Sequence, residues 1–354
     1  MQKIITGIQQ VGIGVTNAKE AWKWYSKYFG TDVVIFNDAA PAPLMTRYTG
    51  GEVHHRYAVL AVNMQGGGGF EIWEYKSRKA QPASFTVNLG DTGIQIIKIR
   101  CKDIRLVYLW YIKENLKVIG ELHNDPQGKL TFYLEDPYGN KFQMVEDDYW
   151  FMQTDHLCGG IAGVTIAVSS LEKAMNFYTG ILGIKNLVYD EEGLYDEWNE
   201  FSGGNMKFRR LLLKQDAERT GAFSKLVGPC SIELIQAIDY KPRKIFESRL
   251  WGDQGYIHLC FDVVGMKLVQ EDCRKMGYPF TVDSADSFEM GDAAGHFAYN
   301  EDPDGTLIEY VEAHKVPILK KWGWYFNLKR RDATKPLPNW MLKALRFNKK
   351  TDLN

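Results

Sequence analysis

The second half of the chain is a copy of the first. AWKWYSKYFG (21–30) lies over AMNFYTGILG (174–183), with Ala21 on Ala174, Trp24 on Phe177, Tyr25 on Tyr178 and Gly30 on Gly183, at an offset of 153. Just upstream, IQQVGIGV (8–15) lies over IAGVTIAV (161–168) at the same offset. Later, EDPYGNKFQMVE (135–146) lies over EDPDGTLIEYVE (301–312) at an offset of 166, so about 13 residues are inserted in between. A repeat constrains the fold more than any local propensity, because both copies must bury the same faces. The boundary falls near DDYWFMQTDHLCGG (147–160).

Each half divides again. IQQVGIGV alternates and reads as a strand. NAKEAWKWYSKYFG carries a cap-like Asn17, Glu20 three residues on, apolar positions at helical spacing and a terminal Gly30, which predicts an amphipathic helix. Strand-like runs follow at 32–36, 57–62 and 70–75, giving a β-α-β-β-β unit. A second unit opens at IQIIKIRC (94–101), and its DPYG places Pro second and Gly fourth in a turn. Units three (161–236) and four (257–312) repeat the plan. The expected organisation is an N-terminal domain, 1–150, with modules about 4–80 and 90–148. A C-terminal domain, 158–313, has modules about 160–240 and 255–313, and a basic extension covers 314–354.

With 45% apolar and 25% charged residues, the chain has the balance of an ordinary globular protein. No run approaches the roughly 18 apolar residues that span a bilayer, and the N-terminus lacks the features of a signal peptide. Five scattered cysteines without a C-x-x-C pattern indicate neither disulfides nor a thiolate zinc site, so a cytoplasmic location is expected. Net charge is −1, but residues 315–354 carry +9, leaving −10 on the first 314. The tail is expected to pack as a basic helix on the acidic body or across a dimer, with interfacial membrane binding as the alternative.

Four such units, the G-I-x-V first strand, the F-Y-x-x-x-L-G helix end and the D-P-x-G turn resemble the vicinal oxygen chelate superfamily of glyoxalase I, extradiol dioxygenases and bleomycin-resistance proteins. The resemblance covers about residues 4–313. It implies an α+β fold in which modules pair into two cupped, partly open mixed β-barrels around a metal. It also implies ligand positions on the first and last strand of each module. These are Gln10, Gln95, Gly163 and His258 on first strands, and Glu71, Gln143, Glu233 and Glu309 on last strands. A slip of one residue would turn any of them to the other face.

Which modules pair decides the site. One with four assembles Gln10, Glu71, His258 and Glu309, the ligand types of glyoxalase I, and leaves Gln95, Gln143, Gly163 and Glu233 as a decayed site. Three with four, the simpler topology, assembles Glu233, His258 and Glu309. The first is preferred because its quartet is complete, and both stay open at this point. Each side chain also has an ordinary explanation, since a strand Glu commonly faces solvent and a buried His can be a core residue. GGGG (66–69) is followed by a strand rather than a helix, which favours a flexible hairpin connection over a phosphate cradle.

The resemblance implies a divalent metal (zinc, nickel, iron or manganese) and a glyoxalase-like lyase or isomerase acting on a small substrate with adjacent oxygens. Glu309 would move the proton and Glu71 would hold the metal or act from the opposite face. An extradiol dioxygenase with Fe(II) is one alternative, weakened by a single His where two are needed. A metal-free small-molecule-binding protein is the other. A small-molecule substrate is the expected partner, a homodimer is left open, and neither nucleic acid nor membrane is expected.

Overall fold

Every module turns from its first strand into a helix, in three of the four at a side-chain cap. The computed structural model describes residues 2–215, 218–285, 288–290, 293–319, 323–328 and 331–350. The first module comprises β1 (Ile4–Gly14), α1 (Ala18–Phe29), β2 (Val33–Pro41), β3 (His55–Val62) and β4 (Gly69–Tyr75). The second comprises β5 (Gly93–Cys101), α2 (Ile104–Lys113), β6 (Lys117–Asn124), β7 (Leu130–Glu135) and β8 (Lys141–Glu146). The third has β9 (Cys158–Ala167), α3 (Leu171–Ile181), β10 (Asn186–Gly193), β11 (Phe208–Lys214), α4 (Ser224–Val227) and β12 (Ser231–Ala237). The fourth has β13 (Gly255–Val264), α5 (Met266–Lys275), β14 (Val282–Asp283), β15 (Phe288–Met290), β16 (Ala293–Glu301) and β17 (Leu307–Leu319). The tail adds β18 (Trp324–Asn327) and α6 (Asn339–Ala344). The Asn17, Asp103 and Ser170 side chains accept the backbone N–H three residues on, which starts α1, α2 and α3.

Two curled mixed sheets result. One runs β14-β16-β17-β13-β1-β4-β3-β2, with β15 on β16 and β18 on β17; the other runs β10-β11-β12-β9-β5-β8-β7-β6. Within each module the last strand lies parallel to the first. Modules join through antiparallel seams, β1 with β13 and β5 with β9. Module one therefore pairs with four and two with three; the three-with-four arrangement is not what forms. Pairing the adjacent modules two and three brings the outer modules together, and each seam covers strand edges that a lone module would leave open.

The repeated motifs clasp each other. The Tyr25 hydroxyl of α1 donates to Asp136 in the DPYG turn at 2.5 Å, and Tyr178 of α3 donates to Asp302 in the DPDG turn at 3.0 Å. Since α1 and the DPYG turn belong to different sheets, these clasps tie the two barrels together. Gly66–Gly69 is not a slack connection. Gly67 donates to Leu226 O and accepts from Ile161 N, and a Cβ at Gly67 would stand 2.6 Å from Ile161 O. The run needs glycine because another strand's backbone passes against it.

The tail packs on the first barrel. Leu337, Met341, Leu342 and Leu345 are buried with Val33, Val62 and Leu226. Pro338 occupies the cap position of α6, and the Asn339 side chain accepts from Lys225.

Candidate metal centre

The β1–β13 seam positions the site. Its register sets Gly12 opposite His258, and the parallel ladders set Glu71 beside Gly12 and Glu309 beside Cys260. Gln10, Glu71, His258 and Glu309 thereby point into one cup, each at most 6% exposed. His258 Nε2 lies 3.3 Å from Glu71 Oε2 and 3.2 Å from Glu309 Oε2. Gln10 Nε2 is 3.3 Å from the same two oxygens. One ligand atom from each of Glu71, His258 and Glu309 lies within 4.8 Å of the others.

The imidazole is fully buried, yet neither of its nitrogens has a hydrogen-bond partner. The Glu71 and Glu309 carboxylate oxygens are within ion-pair distance of Nε2. Trp251 stacks parallel to the ring at 6.2 Å and Tyr299 meets it edge-on at 5.5 Å. A Cβ at Gly12 would fall 2.3 Å from His258 Cε1, so glycine makes the space the imidazole occupies. Sequence reasoning passed over Gly12. Its signal is the small residue two positions after Gln10, meaningful only once β13 is known to lie opposite.

Burial disfavours charge on His258, but the Glu309 and Glu71 carboxylates outweigh it and hold the imidazolium up to about 9. Burial likewise opposes the Glu309 carboxylate, and His258 overrides it, keeping the carboxyl below its ordinary value. Burial and the same two carboxylates keep the Tyr299 phenol protonated.

The donor set suits a divalent ion. Two buried carboxylates face an imidazole and an amide, and among the described residues no Lys or Arg forms an ion pair with either. Uncompensated buried charge is costly, so the cluster calls for a cation. Gln10 Oε1 is buried without a partner. A rotation about the last side-chain bond lets the amide offer its oxygen in place of its nitrogen to the centre.

The second barrel shows the contrast. Glu233 is not brought to this cluster; it lies in the other cup, where Lys98 reaches Glu233 Oε2 at 2.8 Å and Arg210 reaches Oε1 at 2.6 Å. Tyr189 and Thr165 donate to it as well. Burial opposes its charge, but Arg210 and Lys98 prevail and hold the carboxyl far below the usual range. Gln143 accepts from Lys98. Gln95 is one residue off register: it corresponds to Gln9, at a bulge both seams share, and donates to the backbone oxygens of Asn88 and Asp91, while Ile96 takes the position corresponding to Gln10. Gly163 sits beside Ser231 and offers no side chain. Here an ammonium and a guanidinium supply the positive charge within the protein.

A cavity of about 430 Å³ opens above the first cluster. Gln10, Glu71 and Glu309 form part of its lining, and Phe36, Met45, Trp73, Trp251, Phe297 and Tyr299 make much of the wall. Phe223 and Leu226, inserted between β11 and β12 of the other barrel, and Leu345 of the tail complete it. Arg56 also lines it, paired with Asp38 at 2.7 Å.

Two sequence profiles described as Glyoxalase/Bleomycin resistance protein/Dioxygenase superfamily match the chain, one over residues 7–144 and one over 163–299. The chain belongs to this superfamily. No curated protein matches the sequence. Among solved structures, glyoxalase I from Zea mays superposes with a TM-score of 0.54 at 14% identity, covering 88% of this chain and 92% of that one. A putative dioxygenase from Bacillus subtilis subsp. subtilis str. 168 gives a TM-score of 0.55 at 14% identity, covering 88% and 86%. Both show the superfamily fold. Among the described residues, no helix is long and apolar enough to cross a membrane.

Proposed function

We propose that this superfamily member is a metal-dependent isomerase or lyase of the glyoxalase kind, acting on a small substrate whose two adjacent oxygens bind a divalent ion. The carrying observation is His258: a fully buried imidazole set 3.3 and 3.2 Å from two buried carboxylates that have no other cationic partner among the described residues. Gln10, Glu71, His258 and Glu309 would hold the ion. When bound, it supplies Lewis acidity, polarising the substrate carbonyl and offsetting negative charge as it develops on the paired oxygens.

The protein's own groups do the rest. Glu309, held ionised beside His258, takes a proton from the carbon next to the carbonyl and returns it to the neighbouring carbon. One carbon is oxidised as its neighbour is reduced within the same molecule, so no external oxidant enters. Glu71 faces the substrate from the other module, and the Tyr299 phenol keeps its proton. Aromatic walls exclude water and favour a substrate with an apolar body.

Metal analysis of the purified full chain, with turnover assays on hydroxy-carbonyl and thiol–oxoaldehyde compounds, tests this reading. Expected are stoichiometric zinc, nickel or manganese, loss of metal in His258→Ala, and retained metal with roughly 10²–10⁴-fold lower turnover in Glu309→Gln. Iron with oxygen uptake on catechols would replace the proposal with a dioxygenase, and a chain that takes up no metal would leave a binding protein.

A further inference from the structure

Trp340 and Phe347 are the exposed Trp and Phe side chains among the described residues, at 58% and 65%. Both lie in the segment 333–350, which carries five Lys and Arg and no acidic residue. The segment is two-sided. Its inner face, Met341, Leu342, Ala344 and Leu345, is buried against the first barrel. Its outer face exposes Trp340, Lys343, Arg346, Phe347 and Lys350, at intervals of three or four residues where the chain is helical.

Lys349 is neutralised by Asp32 at 2.9 Å. Lys343, Arg346 and Lys350 are exposed and form no ion pair among the described residues. The Arg346 guanidinium lies 5.3 Å from the Phe347 ring. Leu345, between the outward residues, lines the apolar cavity, as does Leu44, itself 46% exposed. The segment that carries the basic, aromatic face thus also forms part of the cavity wall.

We infer that this face docks the protein on an anionic lipid surface. Aromatic rings beside Lys and Arg suit the headgroup region, where apolar edges leave water while charges stay hydrated. Each nearby cation adds about 1 kcal/mol of attraction to anionic lipid. The remaining body is acidic, with −10 on the first 314 residues. A negative surface therefore repels the body and accepts this face, which fixes the orientation. A substrate with an apolar body could then pass between lipid and cavity without crossing water. The docking itself does not depend on the metal chemistry.

Sedimentation of the full chain with phosphatidylcholine vesicles, with and without phosphatidylserine, tests it. Binding is expected on the anionic vesicles at low salt, weakening as salt rises. Lys343→Glu with Arg346→Glu should reduce it roughly tenfold or more, and Trp340→Ala with Phe347→Ala should remove what persists at high salt. The melting temperature of each variant verifies folding, since all four side chains are exposed. Should the charge reversal prevent folding, Lys343→Gln with Arg346→Gln tests the same contacts. Wild-type protein that stays in the supernatant, variants that bind as wild type does, or duplex DNA that displaces the vesicles would each overturn the inference.

Discussion

Glu71, Glu233 and Glu309 sit on corresponding last strands, yet they meet different partners. Lys98 and Arg210 saturate Glu233, whereas Glu71 and Glu309 share an imidazole and an amide. Sequence alone placed all three as ligands because the cations that distinguish them come from other strands. Nothing local to Lys98 or Arg210 marks them as buried; the closed sheet does that. Asp262 is a buried carboxyl of another kind. Burial pushes it up to about 7, with Glu312 adding to the rise and Thr6 opposing it. The folded chain thus keeps a proton that the unfolded chain releases above about pH 4. Stability attributable to this group falls as pH climbs from about 4 to 7, then levels off. Asp262→Asn removes that loss. Thermal unfolding should show the variant more stable than wild type at pH 8, by on the order of a few kcal/mol, with the gap closing towards pH 4. An unchanged gap between the two pH values would contradict the assignment.

At the scale of elements, the unit plan was legible because strand alternation, Asn17 capping and the D-P-x-G turn are local signals. The seam was legible only through its consequence, the complete quartet, since no single segment records which distant edge it meets. The one-residue register difference that sets Ile96, not Gln95, where Gln10 stands also left no local mark. Gly12 shows what the seam adds. Its substitution by Ala would drive a methyl into the His258 ring, displacing a ligand without altering any ligand's chemistry. Gly12→Ala should lower metal affinity roughly 10–100-fold, read by titration with the metal. Affinity equal to wild type would show that the imidazole has room to spare. The clasps make a contrasting pair. Tyr25→Phe leaves Asp136 Oδ2 with the Asn140 amide alone among its side-chain partners. It should cost about 1–3 kcal/mol in denaturant unfolding, and Tyr178→Phe should cost a similar amount. Neither should change metal content, because both hydroxyls bond carboxyls outside the cluster.

For the whole molecule, the β1–β13 seam makes the chain's two outer modules into one barrel, and the tail then closes one side of its cavity. Gln10 and Glu71 come from the first module, His258 and Glu309 from the fourth. An ion held by all four therefore links segments at opposite ends of the sequence, whereas in the second barrel Lys98 alone joins its two modules through Glu233. Because the unfolded chain does not assemble these ligands, binding favours the folded state, by about 2.7 kcal/mol when free metal stands at 100 times Kd. Chelation should lower the melting temperature of the wild-type chain, and restored metal should raise it again. His258→Ala should melt at the chelated temperature and respond to neither treatment. Lys98→Met should lower stability by roughly 3 kcal/mol or more, since it strips a cation from a buried carboxylate, while leaving the response to chelation intact. If chelation instead destabilised His258→Ala as much as wild type, the metal would be bound elsewhere, and the first barrel would have to meet the charge of Glu71 and Glu309 by keeping His258 protonated.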